Sequence, residues 1–153
     1  MAPIEIIIIG TKPPCPRCAL MGALVTDYVR RNAVDATINH IGFDSSEARS
    51  IASTLGLETG TAKHVAAGLN MNVDWNAVYG LIANPPPRVH PVDTTDETAR
   101  KWSPELDESL KCCQDRAREA GILMTPVLVV NGEVRHEGDV PSLEDLGRLL
   151  TLP

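Results

Sequence analysis

The sequence predicts an α/β protein in which a βαβ unit and a ββα unit share a four-stranded mixed sheet flanked by helices, with a mainly helical stretch between them. Three observations carry that expectation. A β-branched apolar run at residues 4–9 is followed by a helically spaced apolar stripe and a second strand-like run at 34–43, the order of a βαβ unit with parallel strands. Asn131-Gly132 separates two further strand-like runs, Val127–Val130 and Glu133–Glu137, and Asn-Gly marks a hairpin because both central residues of that turn need positive φ. Residues 44–103, between the two units, carry short helical patterns and turn residues without sustained alternation.

Taken in order, residues 4–9 are apolar except Glu5, as suits a strand buried on both faces, and Gly10 ends them. A turn at 11–14 leads into a helix that begins near Cys15 and reaches Arg31, with Ala19, Leu20, Ala23, Leu24, Tyr28 and Val29 as its stripe. Asp44, with Glu47 three residues on, predicts a capping-box start for a helix burying Ala48, Ile51, Ala52 and Leu55. Short helices follow at 61–69 and 74–82; Asn84-Pro85-Pro86-Pro87 ends the second, and 89–95 reads as loop. Ser103-Pro104 is an N-cap and first-turn pair for a helix through Ala120 with Leu106, Leu110, Cys113, Ala117 and Ala120 inward, and Gly121 closes it. After the hairpin, Ser142 caps a last helix that buries Leu143, Leu146, Leu149 and Leu150.

With 153 residues the chain supports one domain with its own core, residues 1–153, carrying its insertion at about 44–103. Apolar residues at 43% and charged residues at 22% argue against disorder. The net charge of −6 repels phosphate, and Tyr28, Phe43, Trp75, Tyr79 and Trp102 are the only rings available for stacking on bases. No nucleic-acid partner is expected. No apolar run approaches the roughly 18 residues of a spanning helix. The first residues lack the basic start and long apolar core of a secretory leader. No membrane partner and a cytoplasmic location are therefore expected. Four cysteines are too few for a disulfide scaffold, and in a reducing compartment a close pair points to catalysis or metal binding.

That pair is Cys15-Pro16-Arg17-Cys18, where the first strand passes into the first helix. At the helix N-terminus Cys15 faces unpaired backbone N–H groups and the positive end of the helix dipole, both of which favour the thiolate. Pro16 suits the first helical position because it has no N–H to leave unpaired. Arg17 adds a positive charge beside the sulfur. Cys18 lies one turn on and faces inward, giving an exposed nucleophile and a shielded resolving partner.

Together with the downstream Thr125-Pro126, the Asn-Gly hairpin and the final helix, this arrangement resembles the thioredoxin-like superfamily, in particular its small glutaredoxin-like redox proteins, over residues 4–43 and 104–152. The resemblance implies a thiol-disulfide oxidoreductase that uses Cys15 and Cys18 on a protein or small-molecule disulfide, with a separate reductase to recycle it. It also implies a cis bond before Pro126, which with Thr125 would hold the substrate chain. There are departures. Pro14 precedes the first cysteine, and Pro16-Arg17 replaces the Gly-Pro of thioredoxins proper. Isoleucines 6–9 stand where those proteins keep a buried proton-accepting carboxylate. Arg17 replaces the aromatic residue common in glutaredoxins, so glutathione is not implied.

The parallel second strand brings the start of the insertion to the dithiol edge of the sheet, so part of 44–103 is expected to flank the cysteines and shape partner choice. Trp75, Tyr79 and Trp102 are expected to form the insertion's own small core. Cys113 reads as a small buried hydrophobe, and Cys112 points about 100° away from it. His40, His64, His90 and His136 lack zinc-type spacing and read as surface or satisfied histidines. Gly10-Thr11-Lys12 runs into prolines instead of a phosphate-binding loop, so no nucleotide cofactor is expected. Two other readings stay open: zinc or arsenite binding by Cys15 and Cys18, with Cys112 as a third thiol, and a docking module whose working surface is the insertion.

Overall fold

The computed structural model describes residues 3–151. Met1 and Ala2, part of the stretch read against a secretory leader, lie outside the described residues, as do Leu152 and Pro153. Strand β1 (Ile4–Gly10) leads into helix α1 (Pro16–Arg31), and β2 (Ala36–Gly42) returns parallel to β1. At the other end of the chain, β5 (Val127–Val130) pairs antiparallel with β1 and with β6 (Glu133–Glu137), and α8 (Leu143–Thr151) follows. The sheet order is β2-β1-β5-β6, the mixed four-stranded sheet that the sequence predicts.

The isoleucine run places β1 at the centre. Successive strand residues point to opposite faces. Ile6 and Ile8 pack with Leu128 and Val130 against Leu20, Met21 and Leu24 of α1 and Leu146 of α8. Ile7 and Ile9 pack with Val127 and Val129 against Ala48 and Ala52 of α2 (Ser46–Ser53) on the other face. Each such aliphatic side chain contributes about 1.5–3 kcal/mol by leaving water. The hairpin turn has the backbone its sequence asks for, with φ of 49° at Asn131 and 79° at Gly132.

The insertion holds more order than its sequence suggests. A three-residue strand β3 (Glu58–Gly60) pairs in parallel with β4 (Ile122–Met124), forming a second small sheet. Helices α3 (Ala62–Gly68) and α4 (Trp75–Ala83) are capped by Thr61 and Asp74. Their Val65 and Val78 pack with Leu106, Leu110, Cys113, Ala117 and Met124. The stretch read as loop runs into a short helix, α5 (Glu97–Arg100), and Val92 and Ala99 enter the core beside α1. Trp75 packs on the core shared with β4, and Trp102 touches both that core and the α1 core. Tyr79 is 44% exposed and is no core residue. The expected separate core of the insertion is thus continuous with the rest of the molecule.

Other local expectations are corrected. Ser45, and not Asp44, caps α2 by accepting from the Ala48 N–H at 3.1 Å, so the helix starts one residue later and ends at Ser53 with Leu55 in solvent. The helix expected from Ser103 to Ala120 is two, α6 (Pro104–Ser109) and α7 (Lys111–Ala120), because Leu110 adopts φ −106° and ψ 4°. In α7 Cys113 and Ala117 stay inward, Ala120 at its end is exposed, and Gln114 is buried, donating to the Glu137 carbonyl at 3.1 Å. Leu143, at the first turn of α8, is also exposed. No helix among the described residues is long and apolar enough to cross a membrane.

Candidate active site

Cys15 is the residue before α1, and the helix folds locally as its sequence dictates, with Pro16 in the first turn. The Cys15 N–H donates to Thr11 Oγ1 at 2.8 Å, which fixes the backbone leading into the helix. The two sulfurs are 3.3 Å apart and both thiols are free. A disulfide needs about 2 Å, so a small side-chain movement closes the bond. Cys15 is half-buried, whereas Cys18 is 2% exposed and its Sγ lies against Gly10, where an added Cβ would come within 2.7 Å of it.

This asymmetry separates the two thiols chemically. Cys15 is brought down to about 6, first by the hydrogen bond from the Cys18 thiol, then by the Cys18 backbone N–H and the Arg17 charge, with burial opposing them. Cys18 is pushed well up by the same sulfur pairing, by burial and by the neighbouring thiolate. Near neutral pH the pair is therefore one thiolate facing outward and one thiol beneath it.

Arg17 does less for the thiolate and more for the scaffold than the sequence suggests. It is 4% exposed. Its Nε donates to Asp107 Oδ1 at 2.7 Å, Nη1 donates to the Thr125 carbonyl at 3.2 Å, and Nη2 donates to the Gly138 carbonyl. The other Asp107 oxygen accepts from Trp102 Nε1 at 2.9 Å and from the Val140 N–H at 3.1 Å. One buried ion pair thus ties the start of α1 to α6, to the segment before β5 and to the loop after β6.

A largely apolar groove of about 280 Å³ opens beside Cys15. One wall is Trp75, Val78, Tyr79 and Ile82 of α4, another is Leu106 and Leu110, and Thr125 and Arg17 lie near the sulfur. At the rim, Lys63 Nζ sits 4.7 Å from the Tyr79 ring centre and 5.7 Å from that of Trp75. The insertion therefore flanks the dithiol, as expected.

The thioredoxin domain family matches residues 107–151, the stretch that supplies Thr125-Pro126, β5, β6 and α8. With these elements added to β1, α1 and β2 in the order β2-β1-β5-β6, the topology is complete. The fold is thioredoxin-like. Similar solved structures include the oxidoreductase DsbA from Xylella fastidiosa, 21% identical, covering 97% of this chain and 82% of that one with a TM-score of 0.34. A periplasmic thioredoxin-like protein from Salmonella enterica serovar Typhimurium is 11% identical, covering 98% and 86%, TM-score 0.38. A thioredoxin-like oxidoreductase from Silicibacter pomeroyi DSS-3 is 13% identical, covering 97% and 84%, TM-score 0.36. No curated protein matches the chain.

Within the thioredoxin-like frame, Thr125 is buried, donates its N–H to the Gly60 carbonyl at 2.9 Å and reaches the groove wall. The Thr125–Pro126 bond is cis, as is Lys12–Pro13. Pro126 is buried beside the groove and does not line it, and its carbonyl accepts from the Gly138 N–H. Cys113 is fully buried, which pushes its thiol up to about 11, and Cys112 is exposed. Among the described residues no three His, Cys, Asp or Glu side chains are grouped to hold a metal ion. His64 Nδ1 meets Thr61 Oγ1 at 2.6 Å and His136 meets Asp139 at 2.5 Å, both satisfied locally. Sequence reasoning missed Asp107, Thr11 and the groove residues Lys63 and Ile82. Of these, only Thr11, a hydroxyl shortly before a helix start, left a local signal.

Proposed function

We propose that the protein is a thiol-disulfide oxidoreductase acting through Cys15 and Cys18. The Cys15 thiolate attacks a substrate disulfide, forming a mixed disulfide and releasing one substrate thiolate. Cys18 then attacks Cys15, forming the intramolecular bond and releasing the second substrate thiolate, so two electrons pass to the substrate. The observation that carries this reading is the half-buried, acidic Cys15 held 3.3 Å from a sealed Cys18 at the mouth of a groove. The groove suits an extended polypeptide disulfide with apolar side chains beside its cysteine, and Thr125, which lines it, would steady that chain. In a reducing cytoplasm a separate dithiol reductase returns the pair to its reduced form. Glutathione is not needed for either step.

The test is turnover of a disulfide-containing peptide with dithiothreitol as reductant. Cys15→Ser should lower turnover to the rate of dithiothreitol alone, and Cys18→Ser, incubated with the peptide without dithiothreitol, should trap it on Cys15 at one equivalent, read by mass. Zinc or arsenite retained at one equivalent through purification, with no turnover, would overturn the reading in favour of metal or metalloid binding. Full turnover by Cys15→Ser would overturn it as well.

A further inference from the structure

Resolution of the mixed disulfide demands that Cys18 lose its proton. While Cys15 is a free thiolate, the Cys18 proton is shared with it. Once Cys15 is bonded to substrate it can no longer take that proton, and Cys18 stays buried. Isoleucines 6–9 leave no acid or base on β1 beneath the thiol.

A second cavity, of about 240 Å³, opens against Cys18 and shares Thr11 with the groove beside Cys15. Cys18, Lys12 and His40 are its titratable lining residues, among Thr11, Gly10 and aliphatic side chains. His40 is on β2 in register with Ile8, facing α1. Its ring lies on Gly22, one helical turn past Cys18, where an added Cβ would come within 2.5 Å of the imidazole Cε1. A glycine inside a helix costs about 0.5–1 kcal/mol relative to alanine. Here it makes the space in which the imidazole reaches the cavity. We propose that His40 takes the Cys18 proton, directly or through water in this cavity, when the mixed disulfide is resolved; the inference rests on the disulfide-exchange reading above.

The step balances. The Cys18 S–H proton passes to the imidazole, the Cys18 sulfur bonds to Cys15, and the Cys15–substrate bond breaks with its electron pair leaving on the substrate sulfur. The imidazolium then returns its proton to solvent, which the exposed His40 also faces. Lys12 in the same cavity, and Asp27, Arg30, Asp93 and Asp96 around the adjoining cleft, are the other charged groups about the ring. Burial first and Lys12 second hold His40 below its ordinary value, so the ring is neutral and able to accept near pH 7.

The experiment uses dithiobis(nitrobenzoate) at one equivalent, in a Cys112→Ser background that removes the exposed thiol. The first nitrothiobenzoate released reports Cys15 attack and the second reports resolution by Cys18. His40→Gln should leave the first release unchanged and slow the second by about tenfold or more near pH 7, recovering as hydroxide takes over at high pH. Gly22→Ala, which pushes the imidazole off the helix, should slow the same step. Without any variant, the second release should fall as the pH drops through the histidine range. A second release at the unmodified rate in His40→Gln, or one flat through that range in the parent, overturns the proposal. A first release with no second in the parent overturns the dithiol reading and this inference together.

Discussion

At the scale of the residue, the acidity of Cys15 comes from its partner sulfur before it comes from any fixed charge. The hydrogen bond from Cys18 is the largest cause holding Cys15 at about 6, and the Arg17 charge follows the sulfur and backbone bonds. Alkylation of Cys15 by iodoacetamide in a Cys112→Ser background should therefore show a midpoint near pH 6. Cys18→Ala should move that midpoint up by a unit or more toward the ordinary thiol range. Arg17→Met should move it less and fail differently. It leaves Asp107 buried without its cation and frees the Thr125 and Gly138 carbonyls, a loss of about 3–5 kcal/mol on removal of one member of a buried pair. Urea unfolding measures this directly, and Arg17→Met with Asp107→Leu should recover part of it. The sequence placed Arg17 beside the thiolate correctly, but its partners Asp107, Thr125 and Gly138 lie 90, 108 and 121 residues away, beyond any local pattern.

At the scale of the element, the end of β1 and the start of α1 meet so closely that Gly10 has no room for a side chain. A Cβ at that position would stand 2.7 Å from the Cys18 sulfur. Gly10→Ala should therefore displace Cys18, slow closure of the intramolecular disulfide and raise the Cys15 midpoint, measured by the fraction of alkylated and mixed-disulfide species over time. A closure rate equal to that of the parent would show that the contact relaxes elsewhere. Elements with long, regular patterns were legible beforehand: the isoleucine strand, α1, the Asn-Gly hairpin and the Ser142-capped last helix. β3 and β4 were not, because three residues carry no period and each strand forms only against the other. The break at Leu110 was hidden for the opposite reason. Leu106, Leu110, Cys113 and Ala117 all reach one core, so the apolar stripe runs straight through the change of helix. The sequence reads His40 as a surface or satisfied histidine, and it is exposed, but its place over Gly22 follows from strand register and helix packing together.

At the scale of the whole molecule, the insertion is both part of the core and one wall of the groove. Val92 and Ala99 are buried against α1, and β3 pairs with β4 immediately before Thr125. Removing residues 57–100 would therefore take away core and sheet together with the groove wall, and lost activity in such a deletion would say little about substrate choice. An exposed groove residue separates the two. Tyr79 lines the groove on α4, is 44% exposed and belongs to no core cluster, so Tyr79→Ser leaves the core intact, whereas Ile82 beside it packs on the core. Covering about half of the Tyr79 side chain with an apolar peptide is worth roughly 1 kcal/mol, a loss of about fivefold in kcat/KM when it is removed. The same substitution should leave the first release from dithiobis(nitrobenzoate) unchanged, because that reagent needs only the Cys15 sulfur. Equal losses with peptide and aryl disulfide would mean that α4 acts through the dithiol and not through the substrate. No loss with either would mean that the polypeptide does not lie along this groove.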